Sequence, residues 1–257
     1  MTGTERIRVD GLHVRFKTRN SEVHAVRGVS LALCKGESLG LVGESGSGKS
    51  TVARAIVGLV RPHGGTVSVD SQVVADAARG VTFPASSRSK VQMIFQDPYT
   101  SLDPRQTGAQ AVAEAIRRWR RLPRHEAQEE ALQLLRSVGI TREQATGSVR
   151  ALSGGQRQRV SVARALAPSP EVLIADEPTS ALDQSAQASV LNLLRRIQQE
   201  RGLAILFISH DLNLVRYLTS TVHVMKDGAV VETGPTGRVL STPGHQYTQK
   251  LVAAVLT

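Results

Sequence analysis

The chain has 257 residues, 40% of them hydrophobic and 21% charged, and its formal net charge is +10. This composition predicts a folded protein of one large domain, or of one domain with an inserted subdomain. The single cysteine excludes a disulfide framework, and the lack of a signal-peptide pattern or of an apolar run near the roughly 20 residues that span a bilayer favours a cytoplasmic protein.

The first apolar run, "LGLVG" (39–43), leads directly into a glycine-rich segment. That segment, "GESGSGKST" (43–51, the phosphate loop), fits the pattern G-x-x-x-x-G-K-[ST] completely. Its glycines allow N–H groups to point at an anion, the Lys49 ammonium suits nucleotide phosphates, and the Ser50 hydroxyl suits Mg²⁺. A helix with one apolar face is predicted next, from Val52, Ala55, Ile56 and Leu59. The predicted nucleotide-binding residues are Gly43, Glu44, Ser45, Gly46, Ser47, Gly48, Lys49, Ser50 and Thr51.

The second apolar run, "VQMIF" (91–95), ends at Gln96, and a basic run, "RRWRRLPRH" (117–125), lies further on. The basic run favours a solvated helical face or a surface for an acidic partner. Nucleic acid is the alternative, because charge alone does not separate DNA, RNA, anionic lipid and nucleotide. Aromatic residues make up only 3% of the chain, which argues against a stacking surface for single strands.

The segment "ALSGGQRQRV" (151–160) poses a different question. Ser153, Gly154 and Gly155 begin a predicted helix, and N–H groups at a helix start attract anions. However, no apolar strand precedes Ser153, and no lysine or acidic metal ligand lies beside it in the sequence. The segment therefore provides half of a phosphate site, which is complete only if another chain supplies the rest.

Two further apolar runs also end at residues capable of chemistry. "EVLIA" (171–175) ends at Asp176 and Glu177, and "LAILFIS" (203–209) ends at His210. Short apolar runs between helical patterns predict a parallel sheet buried on both faces, whose ligands bind at the carboxyl ends of the strands. The four run ends are therefore expected to converge on one site. A late hairpin is predicted over 224–234.

Each of these polar residues has a predicted role and a structural alternative. Asp176 is expected to hold Mg²⁺ through water, and Glu177 to orient or deprotonate an attacking water. His210 is expected to contact the γ-phosphate or that water, and Gln96 to contact Mg²⁺ or the water. The alternatives are an acidic helix N-cap for 176–177, a structural histidine, and a polar residue that merely ends a strand.

Together these motifs resemble those of the ATP-binding cassette (ABC) ATPases, in the order of that family and over nearly the whole chain. The resemblance rests on the phosphate loop, Gln96, the signature segment "LSGGQ" (152–156), "LIADE" (173–177), "SALD" (180–183) and His210. It implies an enzyme that hydrolyses ATP with Mg²⁺. The family's fold is an α/β phosphate-loop ATPase core with an N-terminal antiparallel β subdomain and an inserted helical signature subdomain.

The resemblance also implies a head-to-tail pair of cassettes. Ser153, Gly154, Gly155 and Gln156 of one chain would then close on the γ-phosphate bound by the other chain. Asp183 would lie at the contact between them. Phe16 is the candidate for stacking on adenine, with a place in the core as its alternative.

Three stretches most resemble the dipeptide, oligopeptide and nickel importer ATPases, namely 92–105, 150–166 and 172–194. This branch implies two membrane-spanning permeases, a second ABC ATPase that is a paralogue rather than a copy, and, indirectly, an extracellular solute-binding protein. It places the chain peripherally on the cytoplasmic face of the cell membrane, with no nucleic acid as partner. The alternatives are a soluble ABC ATPase acting on nucleic acid and the ATPase of an ABC exporter.

The expected organisation is one ABC ATPase domain over 1–257. A helical insertion over about 98–150 leads into the signature segment, and a short tail covers about 235–257. The surface around Gln96 and the insertion, including the basic run, is expected to receive a short permease helix.

Overall fold

The computed structural model describes residues 4–17, 21–97 and 102–255. The first residues of the expected insertion, 98–101, and the last residues of the tail, 256–257, lie outside the described residues. The strands are β1 (Glu5–Lys17), β2 (Glu22–Cys34), β3 (Ser38–Val42), β4 (Gly64–Val69), β5 (Gln72–Asp76), β6 (Val91–Ile94), β7 (Val172–Asp176), β8 (Ala204–Ile208), β9 (Thr221–Lys226) and β10 (Ala229–Pro235). The helices are α1 (Lys49–Ile56), α2 (Ala85–Arg88), α3 (Gly108–Arg120), α4 (Arg124–Ser137), α5 (Arg142–Thr146), α6 (Gly154–Leu166), α7 (Gln184–Arg201), α8 (Leu212–Leu218), α9 (Thr236–Ser241) and α10 (Gln246–Val255).

The central layer is a six-stranded sheet in the order β10-β9-β3-β8-β7-β6. Strand β3 pairs parallel with β8 and β9, and β7 pairs parallel with β6 and β8. The four apolar runs of the sequence are β3, β6, β7 and β8, so the predicted parallel sheet is confirmed. Strand β10 pairs antiparallel with β9 as the predicted hairpin, whose turn has positive φ at Asp227 (48°) and Gly228 (84°).

Alternate residues of the central strands enter two different cores, because successive side chains of a strand point to opposite faces. Leu39, Ile174 and Leu206 pack with α1 and the second sheet. Leu173 and Phe207 pack with the helical side of the molecule. The central sheet is therefore covered on both faces, as its continuous apolar strands require.

The second sheet is antiparallel, with four strands in the order β2-β1-β4-β5. A charge cluster joins it to the amino ends of β6 and β7. Asp70, in the turn after β4, accepts hydrogen bonds from Arg6 of β1 (2.7 Å) and from Lys90 (2.6 Å). Arg6 also pairs with Glu171, directly before β7. Burial acts to raise the pKa of the Asp70 carboxyl, but its bonds to Lys90 and Arg6 hold that pKa below its ordinary value.

Helices α3 and α4 pack on α6, the helix that begins within the signature segment, and α5 packs on α3 and α4. Helix α3 begins with a capping box, in which Gln110 N–H donates to Thr107 Oγ1 (3.1 Å) and Thr107 N–H donates to Gln110 Oε1 (2.9 Å). The basic run lies where α3 ends and α4 begins, with Arg120 paired to Glu130.

The predicted helix after the phosphate loop is confirmed, but its predicted extent is wrong. Helix α1 ends at Ile56, and Leu59 is 61% exposed beyond it. Gly58 has a φ of +73°, and a Cβ there would lie 2.4 Å from the Phe83 Cβ. The chain therefore turns tightly under Phe83, which ends the helical face one turn before Leu59.

Candidate functional site

The phosphate loop connects the buried strand β3 to α1 through left-handed glycines. Gly46 has a φ of 82° and Gly48, the N-cap of α1, a φ of 103°. Such backbone conformations are accessible to glycine and turn successive N–H groups toward one point. The loop thus has the geometry of an anion cradle at a helix N-terminus.

Lys49 lies across this cradle and is almost fully buried. Its ammonium donates to the carbonyl oxygens of Gly43 and Glu44, both at 2.8 Å. Burial lowers the pKa of the Lys49 ammonium, and the nearby carboxylates of Glu177 and Asp176 act in the opposite direction. A phosphate that enters the cradle meets a cation that is already desolvated, where electrostatic attraction is stronger than in water.

The neighbouring backbone leaves no room for a side chain at Gly43 and Gly48 of this loop. A Cβ on Gly43 would lie 2.1 Å from the Met225 carbonyl oxygen, and one on Gly48 would lie 2.3 Å from that of Ala25. The Gly228 N–H, from the hairpin turn, donates to the Ser47 carbonyl at 3.1 Å. The loop is therefore held between β2 and the β9–β10 hairpin.

Asp176 is the last residue of β7 and is buried beside the loop. The Ser50 hydroxyl donates to its Oδ1 at 2.9 Å. Burial raises the pKa of the Asp176 carboxyl, while the Ser50 hydrogen bond lowers it in part. A hydroxyl and one carboxylate fit Mg²⁺, because this ion binds through one or two carboxylates, substrate phosphates and retained waters.

Glu177 directly follows β7 and contacts residues at the ends of β6 and β8. Its N–H donates to the Ile208 carbonyl of β8 (2.9 Å), and its φ is +45°, which is rare for a residue other than glycine. Gln96 Nε2, beyond the end of β6, donates to Glu177 Oε2 (3.1 Å). His210 Nδ1, beyond the end of β8, lies 3.3 Å from Glu177 Oε1. The acidic pair caps no described helix, since α7 begins after Asp183.

These residues line one cleft of about 580 Å³. Its lining includes Gly43, Glu44, Ser45, Gly46, Gly48, Lys49, Ser50, Thr51, Gln96, Glu177 and His210, each of which the sequence pattern indicates. Ala25 and Leu251 also line it, and the Glu44 N–H of the loop donates to Tyr247 Oη (3.0 Å). No local motif marks these three residues, because they reach the loop only through the tertiary fold.

The signature segment lies elsewhere and does not line the cleft. Ser153 is the N-cap of α6, and a capping box joins it to Gln156: Gln156 N–H donates to Ser153 Oγ (3.3 Å), and Ser153 N–H donates to Gln156 Oε1 (2.8 Å). A Cβ on Gly154 would meet Leu182 at 3.0 Å, and one on Gly155 would meet Ala186 at 3.1 Å. These glycines thus serve close packing, and helix geometry leaves their N–H groups without intrahelical acceptors.

Four other predicted residues also lie outside the cleft lining: Ser47 and Asp176, which are buried beside the cleft, and Asp183 and Phe16. Asp183 is the N-cap of α7, where its Oδ1 accepts from the Ala186 N–H at 2.9 Å. Phe16 lies on β1 opposite Val23 and is 42% exposed, so its alternative place in the core is wrong. Its role in adenine stacking stays a prediction, as does the dimer contact of Asp183.

Comparison with known families agrees with this geometry. The model of the family described as "ABC transporter" matches residues 26–180. The chain belongs to the ABC transporter family. It is an ABC-type ATPase cassette, with ATP and Mg²⁺ as the family's nucleotide and metal.

Curated relatives of this cassette include ATP-binding proteins named for peptide transport and for glutathione import. It is 46% identical over 239 residues to a probable peptide ABC transporter ATP-binding protein, y4tS, of Sinorhizobium fredii, covering 93% of this chain and 67% of that protein. It is 45% identical over 260 residues to the glutathione import ATP-binding protein GsiA of Escherichia coli, covering 98% of this chain. The cassette spans only 41% of the GsiA length.

Solved ABC cassettes share the fold of the chain. One is the cassette MJ0796, solved as a dimer in a post-hydrolysis state with ADP and Pi: 29% identity, a TM-score of 0.78, and coverage of 90% of this chain and 98% of that one. Another is cbiO1 of Clostridium perfringens, part of the ABC transporter complex cbiONQ: 28% identity, a TM-score of 0.80, and coverage of 93% and 92%. In the part of the chain that the structure describes, we find no helix with the length and apolar character needed to cross a membrane.

Proposed function

We propose that this chain is the ATP-hydrolysing subunit of an importer that takes up peptides, nickel or a related solute. One observation carries the catalytic part: Glu177 lies between Gln96 and His210 in the cleft that the phosphate loop lines. The relatives named for peptide and glutathione transport support the solute class.

In the proposed reaction a water oxygen attacks the γ-phosphorus, and the bond from that phosphorus to the β–γ bridging oxygen breaks. Glu177 orients the water and accepts its proton, and His210 and Gln96 hold the Glu177 carboxylate in place. Lys49 and the loop N–H groups bind the β- and γ-phosphates. Ser50 and Asp176, with Gln96 as the third candidate ligand, would hold Mg²⁺, which when bound neutralises charge on the phosphates.

A pair of cassettes completes each site in this proposal. The exposed Ser153 and the N–H groups of Gly154 and Gly155 bind the γ-phosphate held by the partner's phosphate loop, with Gln156 keeping the serine in position. Asp183 lies at the contact and Phe16 stacks on adenine. The partner is a paralogous ATPase, and the pair acts on two permeases at the cytoplasmic face of the membrane, with an extracellular solute-binding protein upstream.

A groove of about 510 Å³ supports permease docking near Gln96. Its lining includes Phe95, directly before Gln96, together with Glu114, Arg118 and Trp119 of α3. We expect Arg118→Glu to weaken association with the permeases. Arg117→Glu is the matched control, since Arg117 is on the same helical turn and does not line the groove. Equal association of the two variants would contradict docking at this groove.

The test of the proposed function is capture of the tagged Glu177→Gln chain with ATP from detergent-solubilised membranes of its host. This variant should bind ATP but trap the closed pair, because the neutral amide accepts no proton from water. Glu200→Gln, at an exposed carboxylate on α7, is the control that should not trap it. Recovery of two permeases and a second ATPase supports the importer, and recovery of ribosomes or DNA without membrane subunits contradicts it. Undiminished ATP turnover of Glu177→Gln would contradict the role of Glu177.

A further inference from the structure

The C-terminal helix α10 contacts the phosphate loop through two residues one helical turn apart. Tyr247, which is 7% exposed, accepts a hydrogen bond through its Oη from the Glu44 N–H (3.0 Å). Leu251 lines the cleft with the phosphate loop. Residues four apart lie on the same face of a helix, so α10 presents this face to the site.

The peptide groups of Glu44 are held on both sides. Tyr247 binds the N–H of Glu44, and the Lys49 ammonium binds its carbonyl oxygen at 2.8 Å. Rotation of this segment would break both hydrogen bonds. Tyr247 therefore restrains the same stretch of loop that orients the Lys49 charge.

Tyr247 is itself held in place by the hairpin. The Lys226 ammonium of β9 lies 5.2 Å from the centre of the Tyr247 ring, within the range of a cation–π contact. The N–H groups of Gly244 and His245, before α10, donate to the Glu232 carboxylate of β10 at 2.8 and 3.1 Å. The hairpin that binds the phosphate loop through Gly228 thus also anchors the start of α10.

We propose that Tyr247 is a positioning residue for the phosphate loop and that Leu251 forms an apolar wall for the bound nucleotide. Nucleotide affinity then depends on the C-terminal helix as well as on the loop motif. The inference rests on the proposed function, in which this cleft holds ATP.

The experiment measures the Kd for a fluorescent ADP analogue and the KM and kcat for ATP in the full chain carrying Tyr247→Phe. The variant keeps the ring and loses the hydroxyl. We expect Kd and KM to rise about 3- to 10-fold, as for loss of one neutral hydrogen bond, with kcat changed less than about twofold. Hydrogen exchange of residues 43–49 should also become faster.

The matched control is Tyr217→Phe. The Tyr217 hydroxyl bonds to Asn192 on the helical side, away from the cleft, so this variant also loses one hydrogen bond. Its Kd, KM and loop exchange should equal those of the original chain. Leu251→Ala and Val252→Ala form a second pair of variants. Leu251→Ala should weaken nucleotide binding. Val252→Ala should leave binding unchanged, because the Val252 side chain, next in the sequence, does not line the cleft.

If Tyr247→Phe lowers the melting temperature and leaves Kd, KM and loop exchange unchanged, Tyr247 is only a packing residue and the proposal fails. Lys49→Ala in the same assay separates failure of this inference from failure of the proposed function. If Lys49→Ala binds the analogue like the original chain, the cleft is not the nucleotide site, and the proposed function fails together with this inference.

Discussion

The phosphate loop and the signature segment both place glycines at the start of a helix, but the glycines do different things. In the phosphate loop Gly46 and Gly48 adopt left-handed backbone conformations that turn N–H groups inward. In the signature segment Gly154 and Gly155 are helical, and their missing Cβ atoms let α6 approach Leu182 and Ala186. Similar sequence compositions thus produce an anion cradle in the phosphate loop. In the signature segment they produce a helix start whose glycines pack against α7 and the turn before it, while Ser153 is exposed.

The two segments also differ in the side chains that surround them. The phosphate loop has its own buried Lys49 and the carboxylates of Asp176 and Glu177 nearby. The signature segment has a capping box between Ser153 and Gln156. In the proposed function the first segment binds nucleotide by itself, whereas the second acts on nucleotide only when a partner presents it.

The largest expected effect comes from comparing a substitution in the phosphate loop with a substitution in the signature segment. Lys49→Ala should weaken ADP binding by the isolated chain about 10- to 100-fold, because a charge-assisted contact to phosphate is lost. Ser153→Arg should leave that binding within about twofold and still reduce ATP turnover by about 10²-fold, as for loss of a preorganised donor. Titration calorimetry and a phosphate-release assay measure the two effects. Weaker ADP binding in Ser153→Arg would show that the halves are not separate.

The glycines offer a second contrast. Gly48→Ala should destabilise the fold by about 2–4 kcal/mol, because its Cβ would clash with the Ala25 carbonyl at a left-handed φ. Gly155→Ala should change stability by less than about 1 kcal/mol, since better helix propensity offsets tight contact with Ala186. Urea unfolding compares both variants with the original chain. Equal losses of unfolding free energy in the two variants would contradict the different roles given to Gly48 and Gly155.

Asp176→Asn is expected to raise the melting temperature of the nucleotide-free chain and to lower ATP turnover. Burial raises the pKa of the Asp176 carboxyl, so its ionised form costs stability at neutral pH. The cost disappears as the pH falls through the raised pKa, and the advantage of the variant should shrink in the same direction. Asp183→Asn, which keeps an N-cap acceptor, is the control with unchanged melting. A lower melting temperature in Asp176→Asn would contradict this cost.

The smallest expected effect separates capping from catalysis. Ser153→Ala and Thr107→Ala each remove the hydroxyl of a capping box, and each should lower stability by about 1 kcal/mol. Only Ser153→Ala should also lower ATP turnover, because only Ser153 is proposed to meet phosphate. Equal ATP turnover in both variants would contradict the proposed contact of Ser153 with phosphate and leave it only the role of a helix cap.

Sequence reasoning predicted the parts of the fold and site that depend on local pattern. Apolar runs predicted β3, β6, β7 and β8, and the phosphate-loop spacing predicted the turn into α1. The parallel sheet then brought Gln96, Glu177 and His210 together, as their places at strand ends indicated.

Contacts between distant segments could not be predicted in the same way. Tyr247 reaches Glu44 across 203 positions of sequence, and no periodicity or motif marks it. The early end of α1 depends on Phe83, from a later turn, packed over Gly58. The packing role of Gly154 and Gly155 depends on α7 and the turn before it, so composition alone suggested only an anion-binding helix end.

The capping box at Ser153 has a consequence for the rate and affinity of assembly. Ser153 and Gln156 fix each other within one chain, so the first turn of α6 is ordered before any partner arrives. In the proposed pair of cassettes, association would therefore lose little conformational entropy at this point of contact, because the binding surface is preorganised. A partner cassette would meet a rigid surface, and the reversibility of the pair would be governed by the nucleotide at the interface rather than by folding of the signature segment.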